Sequence, residues 1–439
     1  MRFAPGRSSR RLGPHHRSRS YNVARTGEIY GKHYTIHWPN EEHDSARSVR
    51  RSPLYFLLKE RGAVFGAKYG WERPNWFAPD GVEPKDGPTF EIPNWFEHVC
   101  NEHKAARENV VLIDQSSFNK FEIEGPKALG FLNWLAASNI DKPVGSVTYT
   151  QLCNTRGTIE ADITIARVAE DRFMLVTGTA FGLHDSQWIK QHMPADGGVS
   201  FRDVTSALAV INVIGPHSRK LLEKVTPGDI GNQNFPYGKC KEITVGDAPA
   251  RALRVTFVGE LGYELYIPTE FACHVYETLW DAGRDLGVTN AGYRAVNSLH
   301  FEKGYCLWGS ELTPEYTPYD AGLGFCVSLH KGDFLGRDAL AKVQEQGPQW
   351  KLCTFTLDAQ KPVMLRGSEP IVRHGKVIGV TTSCGYGYSV GKTIAYGYVP
   401  LSEAGHTEEY EIEAYTEIFT ARREPIRALY DPERRKIIS

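Results

Sequence analysis

The sequence lacks several features that usually announce a function. No apolar run approaches about eighteen residues, so a membrane-spanning helix is not expected. None of the eight cysteines pairs at CxxC spacing, and no secretory signal precedes them. Reduced thiols in a reducing compartment follow, with the cytoplasm expected and the mitochondrial matrix as the alternative. Charge is not in excess: the formal net charge is −1, which gives no electrostatic reason to expect nucleic acid or an anionic membrane as partner. No catalytic triad or metal-ligand set is evident, and no second His stands at ligand spacing from His300. A dinucleotide-binding turn is also missing. Gly385-Tyr386-Gly387-Tyr388-Ser389-Val390-Gly391-Lys392-Thr393 imitates a phosphate loop. Yet only three residues separate Gly387 from Gly391, one fewer than a P-loop needs. The segment then runs into Ile394–Val399, which reads as a strand, whereas a phosphate loop must open a helix.

At 439 residues, with 41% hydrophobic and 23% charged residues, the chain has the balance of a globular protein of two or three domains. Residues 1–25 are Arg-rich and acid-poor, with Arg2, Arg7, Arg10, Arg11, Arg17, Arg19 and Arg25 before the first acid, Glu28. That composition suits a mitochondrial transit peptide. Pro5, Gly6, Gly13 and Pro14 would break its helix, so a disordered tail is expected instead. Residues 26–105 are aromatic-rich and carry little periodicity, and read as a linker or cap packed against something large. From 106 to 350 the pattern is regular and repeats. A strand, a Gly-Pro break and a helix occur around Gly125-Pro126 and again around Gly215-Pro216, and 215 − 125 = 90. The strand at Leu175 and that at Leu265 keep the same offset, so residues 118–190 and 208–280 read as two copies of one α+β unit. Two packed copies create a cleft at their junction. Residues 351–430 are strand-rich and predict a small closing β-barrel, followed by a tail at 431–439.

Two acids stand out. Asp162 lies at the start of an apolar strand after Gly157. It is either a turn or strand-edge residue or, facing a cleft, a group that accepts an amine proton or stabilises a developing cation. Glu264 lies between Tyr263 and Leu265 and must point to the opposite face from both. That face is either solvent or a site where a carboxylate meets paired N–H donors, as on a pterin edge. Residues 292–304 predict a helix closed by Gly304. Arg294 near its start opposes the helix dipole, which suggests an anionic partner or a surface ion pair. Tyr149 and Asn154 flank the first turn and are candidates to line the cleft.

These segments together resemble the glycine-cleavage T-protein (aminomethyltransferase) family, over roughly residues 106–430. Within it they are most similar to the folate half of dimethylglycine and sarcosine dehydrogenases. The carriers are Gly157 to Ile165, Gly259-Glu260-Leu261-Gly262-Tyr263-Glu264 and Trp308 to Phe325, with Gly379 to Ser383 and Ile394 to Val399 in the last domain. Residues 28–79 resemble the region that joins the flavin half to the folate half. The resemblance implies an α+β three-domain cloverleaf around a central hole for tetrahydrofolate. It implies Asp162 as catalytic acid-base, with Glu264, Tyr263 and Arg294 binding folate. Phe325 stands where T-proteins have a pocket-lining Trp, and Ala161 where they often have a second acid. The implied activity is one-carbon transfer from a methylated amine such as dimethylglycine or sarcosine, giving 5,10-methylenetetrahydrofolate. No flavin domain precedes residue 26, so a separate flavoprotein is the expected partner for amine oxidation. The alternative is a non-catalytic folate-binding subunit of a split dehydrogenase.

Overall fold

A computed structural model describes residues 18–439. Two antiparallel-rich sheets form its centre. The first has five strands in the order Val147–Cys153, Ile159–Arg167, Arg172–Thr177, Asn119–Glu124, Ser200–Asp203. The second has six, in the order Cys240–Val245, Ala248–Leu253, Gly262–Pro268, Leu208–Ile214, Val110–Asp114, Val288–Asn290. The first four strands of each list follow one plan. Each half also turns from strand to helix at a Gly-Pro corner, into Ala128–Leu135 and into Ser218–Val225. Gly125 and Gly215 take φ of 138° and 125° there, and a Cβ on either would lie within 2.5 Å of a backbone oxygen, so only glycine fits. The repeat read from the sequence is thus a repeat of topology.

Period-2 burial decides the faces. On Ile159–Arg167, Ala161, Ile163 and Ile165 pack outward on their own helices. On Leu208–Ile214, Ala209, Ile211 and Val213 do the same in the second half. The opposite faces meet each other: Ala166 and Met174 of the first sheet join Val210, Leu253 and Tyr266 of the second in one buried cluster. Each sheet therefore has a helix-covered back and a front turned toward its copy.

Residues 350–423 form a closed six-stranded barrel. Its last strand, Glu417–Arg423, was not expected from the sequence; it pairs with both Tyr410–Ala414 and Trp350–Leu357 and so closes the ring. The phosphate-loop look-alike is a hairpin between Lys376–Gly387 and Lys392–Pro400, with Gly387 opposite Lys392. Residues 19–25, expected in a disordered tail, belong to a helix, Arg19–Gly31. Ser18 caps it, Arg25 donates to Ser45 O at 2.7 Å, and Glu28 accepts the Asp44 and Ser45 N–H groups. The reading of residues 1–17 lies outside the described residues. Trp71, Trp76 and Trp95 are buried, and the segment carrying them packs on the second half, as the aromatic text predicted. Its anchors are polar: Glu102 accepts the N–H groups of Phe77 and Gly292, and Arg107, further along the same helix, bridges Glu260 and Glu302.

Candidate active site between the two sheets

Asp162 stands on the front face of the first sheet, in line with Glu160, Thr164 and Ala166. Gln151, directly opposite it on the neighbouring strand, donates Nε2 to Asp162 Oδ1 at 2.8 Å. The Tyr149 hydroxyl donates to the same carboxylate. Asp162 is half-buried, yet burial dominates its ionisation and pushes its carboxyl up to about 7. Gln151 and Tyr149 oppose that shift, and the nearby Asp185 adds to it. A group that keeps accessible surface while protein surrounds it borders an internal space. Tyr149 has the same character, 37% exposed but strongly desolvated. Cys306 and Cys326 lie close to Asp162, and burial holds both thiols protonated.

Glu264 stands on the front face of the second sheet. Tyr266, two residues on and therefore on the same face, donates its hydroxyl to Glu264 Oε2 at 2.7 Å. Burial again dominates, and pushes the Glu264 carboxyl up to about 7. Asn212 sits opposite Glu264 in the sheet register, fully buried, with neither amide atom paired. Among the described residues no cation pairs with Glu264 to fix its charge. A carboxylate of this kind, half-open and without a counter-ion, is suited to paired N–H donors of a ligand.

The two acids stand on the facing fronts of the sheets, which pack together close to both. Ala166, four residues from Asp162, and Tyr266, two from Glu264, share the cluster that joins the sheets. A second link runs through consecutive residues: Cys306 lies near Asp162, while Tyr305 approaches Tyr237, which lies near Glu264. A separate groove of about 690 Å³ lies under residues 32–48 and 84–95 and includes neither acid.

The other expected site residues are placed differently. Tyr263 is fully buried on the back face, where its hydroxyl meets Arg219 Nε at 3.1 Å; the period-2 rule that turns Glu264 forward turns Tyr263 away. Tyr266 is the tyrosine that the same rule brings to Glu264. Asn154 is committed to local bonds. It braces the hairpin, with Nδ2 donating to Thr158 and Glu160 and Oδ1 accepting from the Arg156 N–H. Arg294 forms a bidentate pair with Asp86 at 2.7 and 2.6 Å and lies over the Trp95 ring, so its charge is spent on holding the linker. Phe325 is 76% exposed and therefore packs against no enclosed pocket wall. Among residues that sequence reasoning missed, Gln151 had a legible signal in its alternation with Tyr149, but its pairing with Asp162 needed the register.

Comparison with known proteins agrees with this architecture. Residues 54–331 match the GCVT N-terminal domain, and residues 351–428 the glycine cleavage T-protein C-terminal barrel domain. This chain belongs to the glycine cleavage T-protein family. Residues 9–52 further match the central domain of FAD-dependent oxidoreductases. The chain is 39% identical to 4-methylaminobutanoate oxidase (formaldehyde-forming) of Paenarthrobacter nicotinovorans over 96% of its own length and 51% of that protein. It is 36% identical to mitochondrial dimethylglycine dehydrogenase of Rattus norvegicus, over 95% of its length and 49% of the relative. It thus spans about half the length of these relatives. The aminomethyltransferase T structure from Bartonella henselae superposes with a TM-score of 0.74 at 27% identity, covering 87% of this chain and 98% of that one. Among the described residues no group of three metal-ligating side chains occurs, no helix is long and apolar enough to cross a membrane, and all eight cysteines are unpaired.

Proposed function

We propose that this protein binds tetrahydrofolate between its two sheets and transfers a one-carbon unit to it from a methylated amine. The observation that carries this reading is the pair of desolvated acids on facing sheets, each with a carboxyl pushed up to about 7. Such groups sit near the ionisation point useful for proton transfer at neutral pH. They also suit the two ends of a reduced pterin, one of which presents adjacent N–H donors. Folate, when bound, supplies the nucleophilic nitrogen that receives the one-carbon unit. Glu264 ionises against the N–H edge and orients the ring. Tyr266 holds one oxygen of Glu264 and leaves the other free. Asp162, held by Gln151 and Tyr149, accepts the proton released by the attacking nitrogen. The donor we favour is the iminium that a flavoprotein forms by taking two electrons from dimethylglycine or sarcosine, so that its methylene carbon passes to folate as 5,10-methylenetetrahydrofolate with release of the demethylated amine; direct methyl transfer from the amine would give 5-methyltetrahydrofolate instead. The name of the 39%-identical relative, an oxidase of a methylated amino acid, supports that class.

Work with a flavoprotein that oxidises the amine has support in the match of residues 9–52 to an oxidoreductase central domain. The second reading is direct methyl transfer without it. One experiment separates the two. Purified protein is incubated with tetrahydrofolate and a panel of methylated amines, with and without a flavoprotein amine dehydrogenase, and the folate product is identified by mass spectrometry. 5-Methyltetrahydrofolate without the flavoprotein supports an independent methyltransferase; 5,10-methylenetetrahydrofolate only with it supports the joint system. No folate product under either condition, with no folate binding, overturns both.

A further inference from the structure

Most enclosed cations of this molecule have partners. Arg107 pairs with Glu260 and Glu302, Arg294 with Asp86 and Lys303 with Asp431. Lys120 and Lys331 are surrounded by backbone carbonyls. Arg427 differs. It lies just beyond the last barrel strand, and its guanidinium is enclosed by protein. Its side chain makes one hydrogen bond among the described residues, from Nη1 to Ala321 O at 2.5 Å. The groups that most affect its charge are Cys306, Tyr396, Tyr149 and Tyr398, none of them a carboxylate. Its other N–H donors are not among the sealed, unpaired atoms, so they keep contact with open space.

Its place is the Asp162 end of the proposed site. Tyr149 hydrogen-bonds Asp162 and lies in the field of Arg427, and Cys306 lies in the field of both. A guanidinium removed from bulk water without a counter-ion is costly unless an anion completes it, and its planar fork matches a carboxylate. We propose that Arg427 seats a carboxylate of the substrate bound beside Asp162. This rests on the reading of the space between the sheets as the reaction site, and it narrows the donor to N-methylated amino acids. The glutamate tail of folate carries the same chemical group, so the test separates the two sources.

Calorimetric titrations on the full chain compare N,N-dimethylglycine with trimethylamine, and tetrahydrofolate with the diamide of its glutamate tail, for wild type, Arg427→Gln and Arg427→Lys. If the donor supplies the carboxylate, dimethylglycine binds wild type at least about tenfold tighter than trimethylamine, and Arg427→Gln removes that margin while Arg427→Lys restores part of it. If the folate tail supplies it, the same margin appears between tetrahydrofolate and its diamide, and the seat stands with a different owner. Should wild type show no margin in either comparison, the proposal is overturned whether or not the variants fold. Carboxylate-dependent amine binding without any folate binding would instead reject the folate reading and keep this one.

Discussion

In the first half an acid occupies the middle of the strand Ile159–Arg167; the matching place in the second half, set by the pairing of Thr164 with Val176 and of Arg251 with Tyr266, is held by Pro249. The converse holds for the other acid: 264 − 90 = 174, and the first half has Met174, packed between the sheets with Arg251 Nη1 3.8 Å from its sulfur. The halves share strand order, Gly-Pro corners and helix-covered backs, but carry their acids on different strands. Duplication of the frame supplies two facing sheets. On the proposed reading, asymmetric placement of the acids lets them meet unlike ends of one ligand. The surroundings differ as well: Gln151 and Tyr149 both donate to Asp162, whereas Glu264 receives only Tyr266 from the protein and keeps capacity for a ligand.

That contrast can be broken most sharply at Asp162. Asp162→Asn keeps the shape and removes the base, so turnover should fall by about 10²–10⁴-fold while folate affinity changes little. Full activity of that variant in a folate-product assay would remove the role. Glu264→Ala should do the reverse, weakening folate binding by about 2–4 kcal/mol, read by titration calorimetry, with turnover at saturating folate less affected.

A third expectation concerns pH. Both carboxyls sit at about 7, above their ordinary range, so each favours the folded state in its protonated form. The stability they contribute is present below the ordinary carboxylate range and is lost as pH rises through about 7. Thermal unfolding of wild type without ligand should therefore weaken with pH more steeply than that of the Asp162→Asn, Glu264→Gln double variant. Turnover should rise over the same interval as Asp162 ionises. Parallel melting curves for the two proteins would contradict the burial of these groups. The smallest effect is expected at Tyr263, whose hydroxyl lies on the back face: Tyr263→Phe should cost about 0.5–1.5 kcal/mol of stability and leave folate affinity unchanged.

The frame was legible because it rests on local rules. Gly125-Pro126 and Gly215-Pro216 mark corners that only glycine can turn, and alternation along 208–214 and 262–268 marks buried strands. The helix Tyr293–Lys303 ends at Gly304, with φ of 73°, where the sequence placed its stop. Asp162 and Glu264 were visible as acids interrupting apolar strands. Tyr263 was misassigned because proximity in sequence stood in for orientation: alternate strand residues face opposite ways.

By itself, then, the sequence determined the repeated α+β unit, the closing barrel and the two acids, since period, corner chemistry and residue type act within a few positions of each other. Only the tertiary structure decided what those acids meet. The Gln151–Asp162 pairing depends on register across a hairpin. The commitment of Arg294 to Asp86 joins residues 208 positions apart. The approach of Arg427 to the Asp162 end depends on how the barrel docks. Burial, which lifts both carboxyls to about 7, is a property of the assembled sheets and of no segment alone.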